Sequence, residues 1–362
     1  MPFVEPIRNF YGRFERPISS FSLVFGFVFD ALTLKRVDTL WENIWILGHL
    51  IIVGIFITLI HLQKNELGGE KNPKKAHFWY VNILQFFFGG ILSTYLVFYF
   101  RSSDILVTWP FLFVLLLAFM ANESMKRHYI RLSFQISLFF LSIYSFAIFM
   151  VPVLTHQIGT KIFLLSGLIS LVFIVLFIVI LFYFIKDKFA ESKKLIFVLI
   201  SGIFILVNAL YFTNLIPPIP LSLKDGGIYH SVQKNNDGNY VVTYENRGIK
   251  DFFNLYPTFS KLTAEPVYAF SAIFSPKNLN ITIVHEWQYY GANKKKWITD
   301  REINLPVIGG RDGGFRTYSA RSNLMAGKWR VNVKTTHGQT IGTIRFNLAP
   351  AVVKPQLSTK IK

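Results

Sequence analysis

The sequence predicts a bundle of about seven membrane-spanning helices followed by an all-β, immunoglobulin-like antiparallel sandwich. Three observations predict it. Long apolar stretches recur between Pro17 and Asn214, and the basic residues between them fall on alternate sides. After Gly227 the apolar residues come instead in short alternating runs separated by turn residues, the period of strands.

A bilayer core about 30 Å thick requires roughly 20 apolar helical residues. Six segments meet that length: Trp41–Leu62, Phe78–Phe100, Ile105–Ala121, Leu132–Leu154, Ile162–Ile185 and Leu195–Asn214. Several are apolar nearly all round, as in LISLVFIVLFIVILFYFI (Leu168–Ile185). A helix on a soluble core keeps a polar stripe, so this composition favours lipid. A seventh candidate, Ile18–Leu34, is shorter and contains Asp30. The competing reading of that segment is a cleaved signal peptide. It is disfavoured because the apolar run ends in Asp30 and not in a small-residue cleavage site.

Cationic residues orient the bundle, since cytoplasmic loops carry the excess of Lys and Arg. With seven spans one side holds 14 of them: Arg8, Arg13, Arg16, Lys64, Lys71, Lys74, Lys75, Lys126, Arg127, Arg131, Lys186, Lys188, Lys193 and Lys194. The other side holds four before the C-terminal region: Lys35, Arg36, Arg101 and Lys161. The N-terminus is therefore expected in the cytoplasm and the chain after Asn214 outside. If Ile18–Leu34 does not span, the count becomes 11 against 7, and the C-terminal part still falls outside. The formal net charge of +18 is then a consequence of threading and of attraction to anionic headgroups, and nucleic acid is not an expected partner. There is no cysteine, which removes disulfides and thiolate chemistry and leaves an external domain to be held by its own core.

Composition divides the chain into a helical domain at 1–215, a Pro-rich linker at 216–227, a β domain at 228–350 and a flexible tail at 351–362. In the linker Pro217, Pro218 and Pro220 favour an extended, semi-rigid exit. Strands are expected at Tyr240–Glu245, Val267–Phe274, Asn280–Tyr290, Trp297–Leu305, Phe315–Arg321, Lys328–Thr335 and Thr340–Leu348. Trp329, Val331 and Val333 alternate with Arg330, Asn332 and Lys334; His337-Gly338 supplies a tight turn; the return strand resumes alternation at Ile344, Phe346 and Leu348. Gly342 breaks that alternation, as a bulge does. Seven short strands with regular turns point to a sandwich.

The stretch GGRDGGFRTYSARSNLMAGKWRVNVKTTHGQTIGTIRF (Gly309–Phe346) resembles the bacterial domain of unknown function 2914. The likeness lies in a GRDG-F-R run, a G-K-W-R-V run and a G-Q-x-I-G-x-x-x-F ending. It extends over much of His285–Phe346 when Glu286-Trp287 and Tyr290-Gly291 are counted. GFVFDALTLKRVD (Gly26–Asp38) and IPPIPLSL (Ile216–Leu223) are also similar to multi-span proteins that carry this domain. The resemblance implies a membrane-attached bacterial envelope protein and no known activity.

Few residues invite chemistry. A carboxylate at the centre of a span costs about 2.5–3.5 kcal/mol, so Asp30 either contacts an ion, proton or substrate or lies hydrated at the outer end of a short span. His49, Asn82, Gln85, Gln135 and Asn208 also fall inside predicted spans, where polar residues usually join helices and less often line a pathway. Asn82 and Gln85 share a helix face with Gly89-Gly90 one to two turns on. In the β region, four glycines surround Arg311-Asp312. That segment is either a strand connection capped by Asp312, with an arginine paired to it or to Glu286, or a binding loop. In the second case Arg311, Arg316 and Arg321 with Tyr318 would grip an anionic or sugar ligand. Trp287, Tyr289 and Tyr290 would offer a stacking platform, or Trp287 and Trp329 would fill the core. His285-Glu286 begins a HExxH-like string, but Tyr289 stands where the second His is needed, so no metal site is expected, and no cofactor.

No catalytic constellation follows from spacing. The leading expectation is therefore a non-enzymatic protein of the bacterial cytoplasmic membrane whose extracytoplasmic sandwich binds a cell-wall polymer, glycan or partner protein. After Pro220 there are 20 basic and 9 acidic residues, a difference of +11, which suits anionic polymers or lipid headgroups. The alternative is a membrane enzyme or transporter acting on lipid-linked or small substrates through the polar residues of the bundle.

Overall fold

The computed structural model describes residues 24–34, 38–66, 73–124, 131–246, 254–262, 265–351, 353 and 355–362. The chain divides into two compact units. One takes residues up to Arg101, Trp109–Leu154 and Ile158–Thr213; the other takes Ser102–Thr108, Thr155–Gln157 and Asn214–Lys362.

The first unit is helical. Helix α1 (Val24–Thr33) is a short apolar segment, and residues 18–23 of the predicted first span lie outside the described residues. Then come α2 (Leu40–Glu66), α3 (Pro73–Arg101), α4 (Ile105–Ser124), α5 (Leu132–Thr155), α6 (Thr160–Phe184) and α7 (Lys186–Phe212). These six are long and apolar enough, by length and composition, to cross a membrane. Helix α7 starts nine residues before the predicted Leu195. Only Ile185 separates it from α6, and KDKFAESKK is rich in good helix formers.

Helix α5 is the centre of this unit: 72% of its apolar window is buried, against 28% for α6 and 22% for α7. Its carbonyls at Ser142 and Ser145 accept hydrogen bonds from Tyr95 (2.9 Å) and Tyr99 (2.8 Å) of α3. The rings of Tyr95, Phe98 and Tyr99 meet Phe149 edge-on. Small residues let neighbouring helices approach. A methyl group at Gly90 would sit 3.4 Å from the His49 ring, and one at Gly89 would sit 3.4 Å from the Asn122 amide.

Among the described residues the second unit carries eleven strands. They are β1 (Ser222–Tyr229), β2 (Ser231–Lys234), β3 (Tyr240–Glu245), β4 (Thr258–Lys261), β5 (Val267–Phe274), β6 (Ile281–Gly291), β7 (Lys296–Val307), β8 (Phe315–Arg321), β9 (Gly327–Thr335), β10 (Thr340–Pro350) and β11 (Leu357–Ile361). All seven predicted strands are present within one or two residues at each end. Four others are additions. Strand β1 occupies half of the segment assigned as linker, and β11 pairs with β3 where a flexible tail was expected. Both carry weak signals: β1 reads SLKDGGIY, with two glycines and two charges, and β11 is five residues long.

The strands form three sheets, ordered β1-β5-β8, β4-β10-β9-β6-β7 and β11-β3-β2. All pairings are antiparallel except β4 with β10, so the larger sheet is mixed. The β1-β5-β8 sheet is the middle layer. Ser271 of β5 and Ser319 of β8 reach His285 of β6 on one side. On its other side Phe270 and Ala272 pack with Val232 and Val242 of the β11-β3-β2 sheet. A strand covered on both faces reads as a nearly unbroken apolar run, and VYAFSAIF in β5 does. The third layer departs from a two-sheet sandwich. The predicted interruption at Gly342 is a register shift between Thr340 and Gly342.

The GGRDGG segment lies beside the β5 end of the middle sheet. A Cβ on Gly309 would fall 1.9 Å from the Pro276 carbonyl oxygen, and Gly314, at φ +84°, would press on the Ala272 and Ile273 backbone at 2.9 Å. We expect Gly309→Ala to lower the stability of the β domain by about 1–3 kcal/mol or more. Urea titration of the full chain in detergent, followed by limited proteolysis, measures this, and an unchanged midpoint refutes the packing.

Candidate ligand-binding face

Alternation along β6, β9 and β10 sorts their side chains onto two faces. His285, Trp287, Val331, Val333, Ile344 and Phe346 point toward the middle sheet and are buried. Glu286, Gln288, Arg330, Asn332, Lys334, Thr343 and Arg345 share the opposite face through the pairs Glu286–Asn332, Gln288–Arg330, Thr343–Asn332 and Arg345–Arg330.

On that outer face the polar groups are knitted together. Glu286 Oε2 accepts from Asn332 (2.8 Å) and from the Lys334 ammonium, while Thr299 donates to Oε1 at 3.2 Å. Burial pushes the Glu286 carboxyl up, but the bonds from Lys334 and Asn332 outweigh it and hold the group below its ordinary value. Arg330 Nε donates to Gln288 Oε1 at 2.7 Å, and Thr343 donates to Asn332 at 3.2 Å. Aromatic side chains flank the network. The Arg330 guanidinium lies 4.4 Å over the Trp297 ring, Tyr256 lies parallel to Trp297 (centroids 6.1 Å, 13°), and Tyr290 meets Trp297 edge-on at 5.4 Å. A cavity of about 300 Å³ opens here, lined by Arg330, Lys334, Arg345 and Tyr256 among others.

Part of this face matches a family model. Residues 280–348 match the family model "Protein of unknown function (DUF2914)". The matched DUF2914 segment runs from the start of β6 into β10, so it contains the polar face and the GGRDGG loop, whereas Tyr256 lies outside it. No curated protein matches the chain. Among solved structures, the alkylpurine DNA glycosylase AlkC of Pseudomonas fluorescens, bound to DNA containing an abasic site analogue, aligns with 83% of this chain and 96% of its own at 10% identity. Its TM-score of 0.21 carries no argument about fold or function.

The residues singled out from the sequence do not all gather at one place. Arg311, Arg316 and Tyr318 do converge, around Tyr240. Arg316 donates to Asn239 at 2.8 Å, and the Tyr318 ring lies 6.0 Å from those of Tyr240 and Tyr268. Burial and the neighbouring Tyr318 push the Tyr240 hydroxyl up, against the pull of Arg311 and Arg316. Arg311 and Asp312 are exposed on the turn that the Gly314 N–H closes onto the Arg311 carbonyl. Arg321 points to the other side of β8 and binds Asp300 of β7 through Nε (3.1 Å) and Nη2 (2.6 Å). Trp287 is fully buried, which resolves the choice between platform and core, and Trp329 is buried with it. Tyr290 joins the Trp297 cluster. Glu286 takes Lys334 as its ion-pair partner, not an arginine.

In the helices the polar residues meet one another. His61 Nε2 lies 3.0 Å from Gln135 Oε1; Gln85 and Asn122 exchange bonds with each other's backbone carbonyls at 2.8 and 3.0 Å; Asn208 donates to Tyr144 at 3.1 Å. His49 lies 2.9 Å from the Trp45 carbonyl of its own helix and packs on Phe87. Asn82 and Asp30 are half-buried, with Asp30 against Ser93. His61 and Asn122 were missed from sequence because a lone polar residue near a span end gives no sign of its partner. Trp297, Arg330 and Arg345 were missed because alternation alone marks such a face as solvated.

Proposed function

We propose that this is a bacterial cytoplasmic-membrane protein. Seven helices anchor an extracytoplasmic β domain with an immunoglobulin-like sandwich at its core, and that domain binds a glycan or cell-wall polymer. The observation that carries the reading is the outer face of the β4-β10-β9-β6-β7 sheet. There Trp297 and Tyr256 lie parallel beside amide, hydroxyl and guanidinium groups, with Arg330 over the Trp297 ring and Lys328 over that of Tyr256. Sugars are recognised by this pairing: their C–H faces stack on aromatic rings, and their hydroxyls need fixed donors and acceptors. Threading supports the side. All three segments of the second unit, Ser102–Thr108, Thr155–Gln157 and Asn214–Lys362, fall on the cation-poor side of the seven-span count. Exposed apolar side chains along α6, among them Leu168, Phe173 and Val179, support burial in lipid.

The alternative, an enzyme or transporter centred in the bundle, finds less support, because His61–Gln135 and Gln85–Asn122 are engaged with each other as helix-joining pairs are. The test uses the full chain in detergent, incubated with cell-wall sacculi and a glycan array. We expect retention by one polymer class and a loss of about tenfold or more in Trp297→Ala, as removal of a stacking ring costs about 1–3 kcal/mol in ring-stacking sites. Asp30→Asn should leave binding unchanged. Silence across every polymer, or loss on Asp30→Asn alone, overturns the proposal.

A further inference from the structure

The cations lining the cavity are not all paired. Among the described residues of the second unit three basic side chains line it, and two of them meet a carboxylate. Lys334 pairs with Glu286, and Arg345 Nη2 lies 3.5 Å from Asp104 Oδ2. Among the described residues Arg330 has no carboxylate within ion-pair distance: its Nε is taken by Gln288, and no acceptor takes its two terminal nitrogens.

The hydrogen bonds are unfinished in the same place. The Arg345 side chain is 16% exposed, and it makes no hydrogen bond among the described residues, only the 3.5 Å ion contact. Asp104 Oδ2 is buried without a hydrogen-bond partner, while Oδ1 accepts from the Leu106 N–H at 3.2 Å. Both arginines are only half-buried, so their open donors are within reach of a ligand acceptor. Two guanidinium groups paired across β9 and β10, one lying over the Trp297 ring, present planar forks that match the oxygens of a phosphoryl group. The remaining lining divides into a polar part, Gln288, Asn332, Thr340 and Thr343, and an apolar part with Leu106, Val107 and Leu255 beside Tyr256. Leu106 is 62% and Leu255 58% exposed, and Val107 lies between them in the cavity wall. Leu106 and Val107 open the apolar run of α4, a helix long and apolar enough by composition to cross a membrane.

We infer that the cavity binds the singly charged phosphodiester of an anionic phospholipid headgroup, with Arg330 and Arg345 on the phosphoryl oxygens and the glycerol end against Leu106 and Leu255. Exposed leucines beside the cations match an amphiphile better than a free ion. The inference rests on the reading of this sheet face as a binding face and names a lipid ligand for its cationic end.

Native mass spectrometry of the detergent-solubilised full chain tests it with three probes: dioctanoyl phosphatidylglycerol, its deacylated glycerophosphoglycerol, and dioctanoyl phosphatidylcholine. Phosphatidylglycerol should bind most tightly, with the other two weaker by about tenfold or more, the scale of one charge-assisted contact. Arg330→Gln and Arg345→Gln should each reduce that binding about tenfold or more, and Arg345→Lys should restore only part of it, since an ammonium lacks the fork. Thermal unfolding of each variant excludes misfolding. Glycerophosphoglycerol binding as tightly as the lipid overturns the lipid assignment. Affinities within twofold of wild type in both glutamine variants overturn the site. Polymer retention on the same preparations separates the two proposals: its loss with lipid binding intact sinks only the polymer reading, and the converse sinks only this one.

Discussion

Replacing Trp287 by alanine should destabilise the β domain by about 3–5 kcal/mol, the range for emptying a buried large aromatic site. Trp287 is fully buried, meets Phe346 edge-on at 6.4 Å and donates its indole N–H to Ser319 Oγ at 3.0 Å. It therefore ties the larger sheet to the middle one by both packing and a hydrogen bond. Domains of this size have a total stability of about 5–15 kcal/mol, so the variant would sit close to unfolding. Trp287→Phe keeps the ring and loses only the donor, so its cost should be smaller, nearer the about 1 kcal/mol of one hydrogen bond plus a small void. Urea midpoints of the full chain in detergent, read from proteolytic susceptibility of the β domain, rank the two variants. Equal losses would show that the ring is not what matters.

The β domain should also lose about 3 kcal/mol of stability between pH 6.5 and pH 4. His285 is fully buried, its Nε2 is 2.9 Å from Ser271 Oγ and its Nδ1 is 2.8 Å from Ser319 Oγ. Burial disfavours the charged ring and lowers its pKa from the ordinary 6.5 to about 4. The unfolded chain thus binds a proton that the folded chain refuses, so stability rises with pH across that window and is flat above it. The gap corresponds to about 3 kcal/mol at 1.36 kcal/mol for each pH unit. The chemistry agrees: a neutral imidazole keeps one ring nitrogen that accepts from a serine hydroxyl, whereas a protonated ring donates from both and accepts from neither Ser271 nor Ser319. Chemical denaturation of the wild type at pH 7, 5.5 and 4 measures the slope. In His285→Gln the slope across this window should flatten even if the variant is less stable throughout; an unchanged slope would mean that another group carries the acid sensitivity.

Much of this architecture was legible in the residues. Short runs bounded by turn or charged residues, which cannot continue a ladder, located β3, β5 and β8 to the residue. The six long helices follow from composition alone, since a bilayer-length apolar run has few other environments. The hydrophobic pattern could not reveal the third layer. Strand β5 carries the signal of burial on both faces, but its cover comes from β2, β3 and β11, two of them only four and five residues long. Short strands owe their conformation to neighbours and not to their own sequence.

The candidate face was half visible. Arg330, Asn332 and Lys334 were recognised as one side of a strand, but the same spelling describes a solvated edge and a ligand platform equally well. What distinguishes them is Glu286 and Gln288 from β6, Trp297 from β7 and Tyr256 from a loop some 70 residues before Arg330, and pairing over such distances is a property of topology. The GGRDGG run attracted attention for its arginines. Its glycines prove to serve close backbone approach, at Gly309 and Gly314 above all.

The middle sheet has one more effect. Adjacent residues of β5 serve different interiors: Phe270 belongs to the aromatic cluster with Tyr229 and Tyr240, and Ser271 belongs to the imidazole of His285. Sliding β5 by a single residue along β1 and β8 would drive the benzyl ring against the histidine and strand the hydroxyl among tyrosines. Misalignment is thus penalised in both directions at once, so one alignment of this strand fixes the registry of everything stacked on either side.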